Sequence, residues 1–421
     1  MNIWTISLFD PTPYDKVGDH RFIQVAKIAK RKGYRTTHFT STFRHTSKKQ
    51  RFSESTTIEE EYGYKVVYVR SKGYKRNLSV GRLLAHRDFA HKLLAAFDGR
   101  NKPDLIFISM PPLNSAEYVV QWGASHGVPV ITDIIDPWPD SFIKDIPNFL
   151  KPVARLALTP FYNKLRFILE NSAVITSISN GYLEWAENKS QNIRRTECFY
   201  PAFDLQAIQK AIQQHRAAES RDKDILRVIY VGSLGSSYDL PTIVKAAEIM
   251  QEKHPDRTEF VVAGVGPQKD LVEKYAQRLE NLSYLGWISE DELMRQYAIS
   301  DLGLIQHKNN MTQTVTYKLF SYLSASLPIL NSLQSEMARI IRDNNVGLNN
   351  DNGDAAGLVQ NLERFLRDRD LLSQYQKNAL VLARTKGDAA AVYGRMLELF
   401  EEVSESNIMS VKIDKMTTLR R

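Results

Sequence analysis

Along the first half of the chain, short apolar and β-branched runs alternate with longer stretches in which apolar residues recur every three or four positions. "NIWTISLF", "RTTHFTST", "YKVVYVRS", "PDLIFISMPP", "PVITDIID" and "SAVITSIS" read as strands, and "RFIQVAKIAKRKGY" and "RLLAHRDFAHKLLAAF" as helices. Strands alternating with helices at this spacing predict βαβ units and a mostly parallel sheet covered on both faces. After "FYPAFDLQAI" and the charge-dense "QQHRAAESRDKDIL" the alternation restarts with "RVIYVGSL", "TEFVVAGVG", "LSYLGWI", "DLGLIQH" and "LPILNSL", each followed by a helical stretch. The second half repeats the architecture of the first without repeating its residues. The pattern therefore predicts an α/β chain of two Rossmann-like, doubly wound domains, with the boundary between Asp204 and Lys223. The expected division is 1–205, 206–385, a last helix over 386–405 packing back toward the first domain, and a mobile basic tail over 406–421. Two such sheets facing each other would place their carboxyl ends on a central cleft, the default ligand site.

Composition narrows the class. A chain of 421 residues with 43% hydrophobic content supports two globular cores. The single cysteine, Cys198, cannot form an internal disulfide, which fits a reducing compartment such as the cytoplasm. The start, "MNIWTISLFDPTP", has no basic leader and no small-residue cleavage site, so a first strand is expected there rather than a secretion signal. No apolar run approaches the ~20 residues of a membrane-spanning helix. A formal charge of +8 and a pI near 9.2 favour anionic partners: phosphorylated small molecules, acidic lipid surfaces or nucleic acid. Basic stretches interleaved with aromatics on one face are missing, so nucleic acid is not expected. No histidine or cysteine cluster has zinc spacing, and "DRD" at 368–370 lies in a charged helical stretch, so no metal is expected.

The chemistry-bearing loops follow strand ends. "VIYVGSLGSSYDLPTIVKAAEIM" is a strand, a small-residue loop and a helix; it lacks the Gly-Lys-Ser/Thr of a P-loop, and its glycines miss the dinucleotide spacing. Gly232, Ser233, Gly235 and Ser236 would let backbone and hydroxyls approach a ligand, while the helix beginning near Asp239 presents unpaired N–H groups. An ordinary tight turn is the alternative. Asp136 and Asp140, with Trp138 between two prolines, form a rigid acidic corner after a strand, fit either to orient a ligand hydroxyl or to cap their own loop. His20 and His45 are weaker candidates, since a lone histidine is more often structural. "NFLKPVARLALTPFYNKLRFIL" interleaves apolar residues with Lys151, Arg155, Lys164 and Arg166. It could rest on an anionic leaflet or be an ordinary packed helix pair.

Several segments in order, "GDHRFIQVAKIAKRKGYRTTHFTST", "YVGSLGSSYDLPTIVKAA", "FVVAGVGPQKDLVEKYA", "LSYLGWISEDELMRQYAISDLGLI" and "TYKLFSYLSASLPIL", carry a resemblance across most of the chain. They resemble glycosyltransferase family 4, retaining enzymes of the GT-B fold that use nucleotide sugars. "DIIDPWPDS" is similar to an element of a bacterial branch that builds O-antigen, capsule and other surface polysaccharides, with "TSTFRH" and "SMPPL" in comparable places.

The resemblance implies a donor, a UDP- or GDP-sugar, no further cofactor, and a lipid-linked saccharide acceptor. It places the protein in the cytoplasm, peripheral on the inner face of the cell membrane. It also implies residue roles. Gly18 would line the donor phosphates, with Lys16 and Arg21 adding positive charge, and the loop at 232–236 would hold them from the other side. In "QTVTYKLFSYLSAS" the helix N-terminus at Thr316 and Tyr317 would receive the distal phosphate, and Lys318 matches the basic residue of the family's "P-x-K-x-F-E-Y" element. A solvated surface lysine is the plainer alternative. Gly264 and Gly266 match a family loop that could equally be a plain turn. Trp287 and Ile288 would wall the base, although a lone tryptophan usually ends in a core. Asp136 would position the acceptor or take its proton. The chain departs from the family where the ribose-binding glutamate is Ser321 and an upstream glutamate is Gln313. Neither replacement is charged, which keeps open a catalytically silent GT-B subunit or scaffold of a polysaccharide assembly.

Overall fold

The computed structural model describes the chain except residues 17, 19, 78, 145, 219–223, 309–311 and 419–421, and the side chains of 408–418. It divides into two compact units, Met1–Phe199 with Tyr393–Arg421, and Tyr200–Val392.

The first unit is built on β1 (Asn2–Ile6), β2 (Arg35–Ser41), a small hairpin β3 (Phe43–Arg44) and β4 (Lys49–Gln50), then β5 (Thr56–Glu59), β6 (Lys65–Val69), β7 (Leu105–Met110), β8 (Val130–Ile134), β9 (Val174–Ser177) and β10 (Thr196–Cys198). Its eight-stranded sheet runs β10-β9-β8-β7-β1-β2-β6-β5. Every pair is parallel except β5 with β6. β7, "LIFISM", and β8, "VITDI", are buried at every position, as strands covered on both faces must be.

The second unit contains β11 (Leu226–Val231), β12 (Thr258–Ala263), β13 (Leu282–Gly286), β14 (Leu302–Ile305), β15 (Ile329–Asn331) and β16 (Gly347–Asn349), all parallel, in the order β13-β12-β11-β14-β15-β16. Counted within the unit this is 3-2-1-4-5-6, the doubly wound order of Rossmann folds. Alternation along β11 feeds two cores. Leu226, Val228 and Tyr230 join the cluster under helix Leu240–Lys253. Ile229 joins the cluster that receives Leu319, Phe320 and Leu323 of helix Tyr317–Ser324.

The last helix spans Ala389–Thr418, and from Tyr393 onward it belongs to the first unit. There Phe400 packs on Phe107, with ring centroids 5.1 Å apart, Glu402 pairs with Arg195 at 2.8 Å, and Asn407 Nδ2 donates to Gly127 O at 3.0 Å. The helical backbone continues through most of the stretch expected as a tail, because the chain after Gly394 contains no glycine or proline to stop it. The final residues, 419–421, lie outside the described residues. Among the described residues no helix is long and apolar enough to cross a membrane, and no group of three or more His, Cys, Asp or Glu could hold a metal ion.

Candidate functional site

In the second unit the chain leaves β11 toward β12 on one side, and β14 lies on the other, so the loops after β11 and β14 diverge at their carboxyl ends. Such a switch point opens a crevice that open α/β sheets use for ligands. The loops nest closely there. Gly232 N donates to Ala263 O at 3.0 Å, Gly264 N to Gly286 O at 2.6 Å and Leu234 N to Val265 O at 2.9 Å, extending the ladder past the strand ends. A Cβ on Gly264 would fall 1.8 Å from Gly232 O, so the loop after β12 can approach the loop after β11 only as glycine. Gly266 likewise faces the Leu234 backbone. Ser233 and Ser236 are exposed, and Gly235 is half-buried.

Lys318 sits directly beneath this loop. A Cβ on Gly232, whose φ is +139°, would lie 2.7 Å from Lys318 Cε and 3.1 Å from Nζ. Lys318 Nζ donates to Tyr230 Oη at 3.0 Å, and Tyr230 Oη donates to Ser233 O at 2.7 Å. The ammonium also lies over two rings, 4.3 Å from the Tyr230 centroid and 3.7 Å from that of Tyr238. Lys318 forms no ion pair among the described residues. As a residue it is only part-buried, but its charged end is crowded by protein, and that burial pulls its pKa down from 10.5 to about 7. Burial also lowers His307 to about 3, with Lys318 adding to the effect. Both ring nitrogens of His307 are buried without a hydrogen-bond partner among the described residues, and the ring lies 4.8 Å from Tyr238.

The two helix N-termini at the crevice differ. Helix Leu240–Lys253 does not present open N–H groups, as its sequence suggested: Asp239 caps it, accepting from Thr242 N at 3.3 Å, Thr242 Oγ1 at 2.6 Å and Gly353 N at 3.0 Å. A buried carboxylate already occupies the place an anion would take. Helix Tyr317–Ser324 is entered from Thr316, whose side chain makes no cap bond and instead reaches Met337 Sδ at 3.8 Å. Lys318 stands in its first turn, and Ser321 follows three residues on, so the two share a face. Ser321 Oγ is bonded to the buried Tyr297 hydroxyl at 2.9 Å. Gln313, ahead of the helix, has a buried Oε1 with no partner among the described residues.

Beyond the glycine loops the surface turns apolar. Trp287 is 66% exposed; Leu285, two residues before it in β13, and Val265, in the loop after β12, are exposed at 37% and 54%. The tryptophan is therefore a surface ring and not a core one. Ile288 is half-buried.

The first unit places its candidates less openly. Gly18 is exposed, and its neighbours Val17 and Asp19 lie outside the described residues. Lys16 is exposed in the left-handed region, with φ +51°. Arg21 does not offer its charge to a ligand. It is fully buried, with Nε 2.8 Å from Asp133 Oδ2, Nη2 donating to Asp133 Oδ1 at 2.8 Å and Nη1 donating to Phe199 O at 2.6 Å. Asp136 accepts from Trp138 Nε1 and from Ser141 Oγ, each at 2.8 Å, so its own loop engages both carboxylate oxygens. That is the geometry of a loop-capping aspartate. Burial raises its pKa against these bonds. Asp140 is a structural hub, accepting from the Tyr162 hydroxyl and from Trp185 Nε1 at 2.8 Å and pairing with Lys189 at 2.6 Å. Those contacts hold its carboxyl below the usual range despite burial. His45 Nδ1 is bonded to Tyr74 Oη at 2.5 Å, and burial takes it to about 4; His20 is exposed ahead of the helix Arg21–Arg31.

Residues 211–381, the larger part of the second unit, match the family model for glycosyl transferases group 1. The sequence likeness to glycosyl transferases thus lies in the second unit. A curated relative, the UDP-glycosyltransferase TURAN of Arabidopsis thaliana, is 25% identical over 109 residues, a stretch that covers 25% of this chain and 23% of that protein. The match thus spans about a quarter of the relative's length. Among solved structures, sucrose-phosphate synthase from Thermosynechococcus elongatus superposes with a TM-score of 0.74 at 15% identity, covering 96% of this chain and 99% of that one. HepE of Anabaena in complex with UDP and glucose gives 0.65 at 13% identity, and WaaG, a glycosyltransferase involved in lipopolysaccharide biosynthesis, gives 0.62 at 13%; each covers 95% of this chain and 99% of that one. These likenesses establish the fold, which is the expected GT-B fold with two Rossmann-like domains.

Within the matched region, three side chains at the crevice were not singled out from sequence: Tyr230, Tyr238 and His307. Tyr230 and Lys318 are 88 positions apart, and nothing local in "VIYVG" marks its ring as a lysine's partner. The Asp239 cap was missed although a signal for it was present, since Asp followed by Leu-Pro-Thr is a helix-start signature.

Proposed function

We propose that the protein moves a sugar from a UDP- or GDP-linked donor to an acceptor hydroxyl with retention of anomeric configuration. The observation that carries this reading is Lys318: a cation held under a glycine loop at a sheet switch point, balanced by ring faces and a hydroxyl but by no carboxylate among the described residues. A buried cation without a counter-ion is costly unless an anion arrives, and a diphosphate is the anion that the GT-B fold and the group 1 domain lead one to expect. The UDP in the name of the curated relative and in the HepE complex supports the donor class.

Lys318, the 232–236 loop with its exposed Ser233 and Ser236, and the helix entrance at Thr316 and Tyr317 serve the diphosphate. As the glycosidic bond to phosphate stretches, negative charge grows on the leaving diphosphate and an oxocarbenium-like charge on the sugar. The ammonium then binds the transition state more strongly than the ground state, which is the source of rate. Gln313 Oε1, buried and without a partner among the described residues, accepts a hydroxyl of the transferred sugar. Ser321 reaches the ribose with a single hydroxyl already shared with Tyr297, in place of a carboxylate bridging two. Trp287, Ile288 and Leu285 give the base an apolar wall, with Gly264 and Gly266 setting the depth. Asp136 shapes the acceptor-side loop of the first unit without taking a proton, because both its oxygens are engaged. The acceptor is a lipid-linked saccharide of bacterial surface polysaccharide synthesis, met at the inner face of the membrane. The sequence element "DIIDPWPDS" and the likeness to WaaG support that choice.

A thermal-shift series with UDP-, GDP-, ADP- and dTDP-sugars, followed by turnover assays of whichever donor binds, tests the reading. A ligand that binds only the folded form raises its apparent stability. One donor class should shift the transition, be turned over, and lose its shift in Lys318→Ala. A selective shift without turnover on any acceptor would favour the silent scaffold, and no shift with any nucleotide sugar would overturn donor binding altogether.

A further inference from the structure

One element of the first unit displays apolar side chains with nothing packed against them. Helix Lys151–Ala157, entered through the 3-10 turn Asn148–Leu150, has no buried residue. Phe149, Val153 and Leu156 are 77%, 65% and 75% exposed, and Leu150 is exposed beside them. Phe149, Val153 and Leu156 are spaced i, i+4, i+7 and so line one face, whereas Lys151 and Arg155 fall on the opposite side. The next helix, Thr159–Asn171, is of another kind. It buries Leu165, Ile168 and Leu169, and its Lys164 is paired with Glu117. The "NFLKPVARLALTPFYNKLRFIL" segment therefore splits into an anchoring helix and a displayed one.

Charge decides what the displayed helix meets. From Ile146 to Leu169 the chain contains Lys151, Arg155, Lys164 and Arg166 and no Asp or Glu. Lys151, Arg155 and Arg166 form no ion pair among the described residues. A second copy of the same face would bring like charges together, whereas an anionic lipid surface satisfies both the apolar row and the cations flanking it. We propose that Asn148–Leu150 and Lys151–Ala157 form a membrane-docking element. Phe149, Val153 and Leu156 enter the acyl boundary of an anionic bilayer, and Lys151, Arg155 and Arg166 lie at the lipid phosphates. This deepens, and in its purpose rests on, the membrane placement proposed above, but its evidence is the exposed face alone.

Co-sedimentation of the full chain with vesicles of phosphatidylcholine alone, or mixed equally with phosphatidylglycerol, tests it. The protein should pellet with the mixed vesicles and not with phosphatidylcholine, and added salt should release it. Phe149→Ser with Leu156→Ser, and separately Lys151→Gln with Arg155→Gln, should each weaken binding roughly tenfold or more. Both pairs should keep the melting temperature of the unsubstituted chain, since neither touches a core. Equal binding to both vesicle types, or retained binding by the apolar double variant, would overturn the proposal. So would sedimentation velocity showing a dimer that this variant breaks, with no vesicle binding. Because the vesicle assay contains no nucleotide sugar, its failure and a failed donor shift are separate results.

Discussion

Arg21 in the first unit and Lys318 in the second are both cations enclosed by protein beside a Rossmann-like sheet, and their surroundings are opposite. Arg21 meets Asp133 through two nitrogens, and Asp133 also accepts from Thr176 Oγ1 at 2.6 Å, so charge and hydrogen bonds close on themselves. Lys318 has a tyrosine hydroxyl and two ring faces, and its pKa falls toward 7. The first arrangement is complete without a ligand and reads as structure. The second is incomplete, and its incompleteness is what marks it as a receptor for an anion. Burial of a cation alone does not separate the two cases, whereas the presence of a carboxylate does.

The comparison breaks most visibly at Arg21. Replacing it by Ala leaves Asp133 buried and unpaired and should cost about 3–5 kcal/mol of stability, read by denaturant unfolding. Replacing both partners by apolar residues of similar size should recover most of that loss. Lys318→Met should instead spare stability, or raise it, while lowering kcat/KM for the donor by about 10²–10³, the scale of losing one charge-stabilising group. A stability loss in Lys318→Met as large as that of Arg21→Ala would erase the distinction.

pH sharpens the same contrast. The folded pKa of Lys318, about 7, lies below the ordinary lysine value of 10.5, so between these limits the unfolded chain binds more protons than the folded one. Stability of the ligand-free protein should therefore rise as pH increases from about 7 toward about 10.5, and Lys318→Met should remove that rise. Donor binding has the opposite sign. A diphosphate favours the charged lysine, so above pH 7 binding should take up a proton and affinity should decline. Calorimetry in buffers of differing ionisation enthalpy would detect the uptake, and its absence would contradict the assignment.

Smaller effects test the two helix entrances. Asp239→Ala removes the cap of Leu240–Lys253 and should cost about 1 kcal/mol, or somewhat more because Gly353 N also loses its acceptor. Lys253→Ala, at an exposed residue 3.6 Å from Glu363, should change stability by less than about 0.5 kcal/mol and leave the donor thermal shift intact.

Much of the fold was legible because strands covered on both faces are predominantly apolar, as "LIFISM" and, apart from Arg227, "LRVIYV" are. The hairpin of β3 and β4 and the antiparallel edge strand β5 were not, since "FR", "KQ" and the half-exposed "TTIE" carry too few apolar residues to set a period. In the site, Gly232 was readable as a place of close approach, but not that a lysine far along the chain approaches it, and Gly264, which could have been a plain turn, meets the backbone of Gly232 itself. The exposure of Trp287 ran against the habit of its residue type, because the apolar character of a side chain fixes its preference and not its address.

Local order therefore came from the sequence alone: the alternation of strands and helices, the loops of small residues, and the net positive charge, each being a property of neighbours along the chain. Pairing came only with tertiary structure. It gave Arg21 a carboxylate and Lys318 none, filled one helix entrance with Asp239, and left Phe149, Val153 and Leu156 uncovered. The reason is that an electrostatic or packing environment is set by residues many positions away, brought near only when the sheets close over their cores.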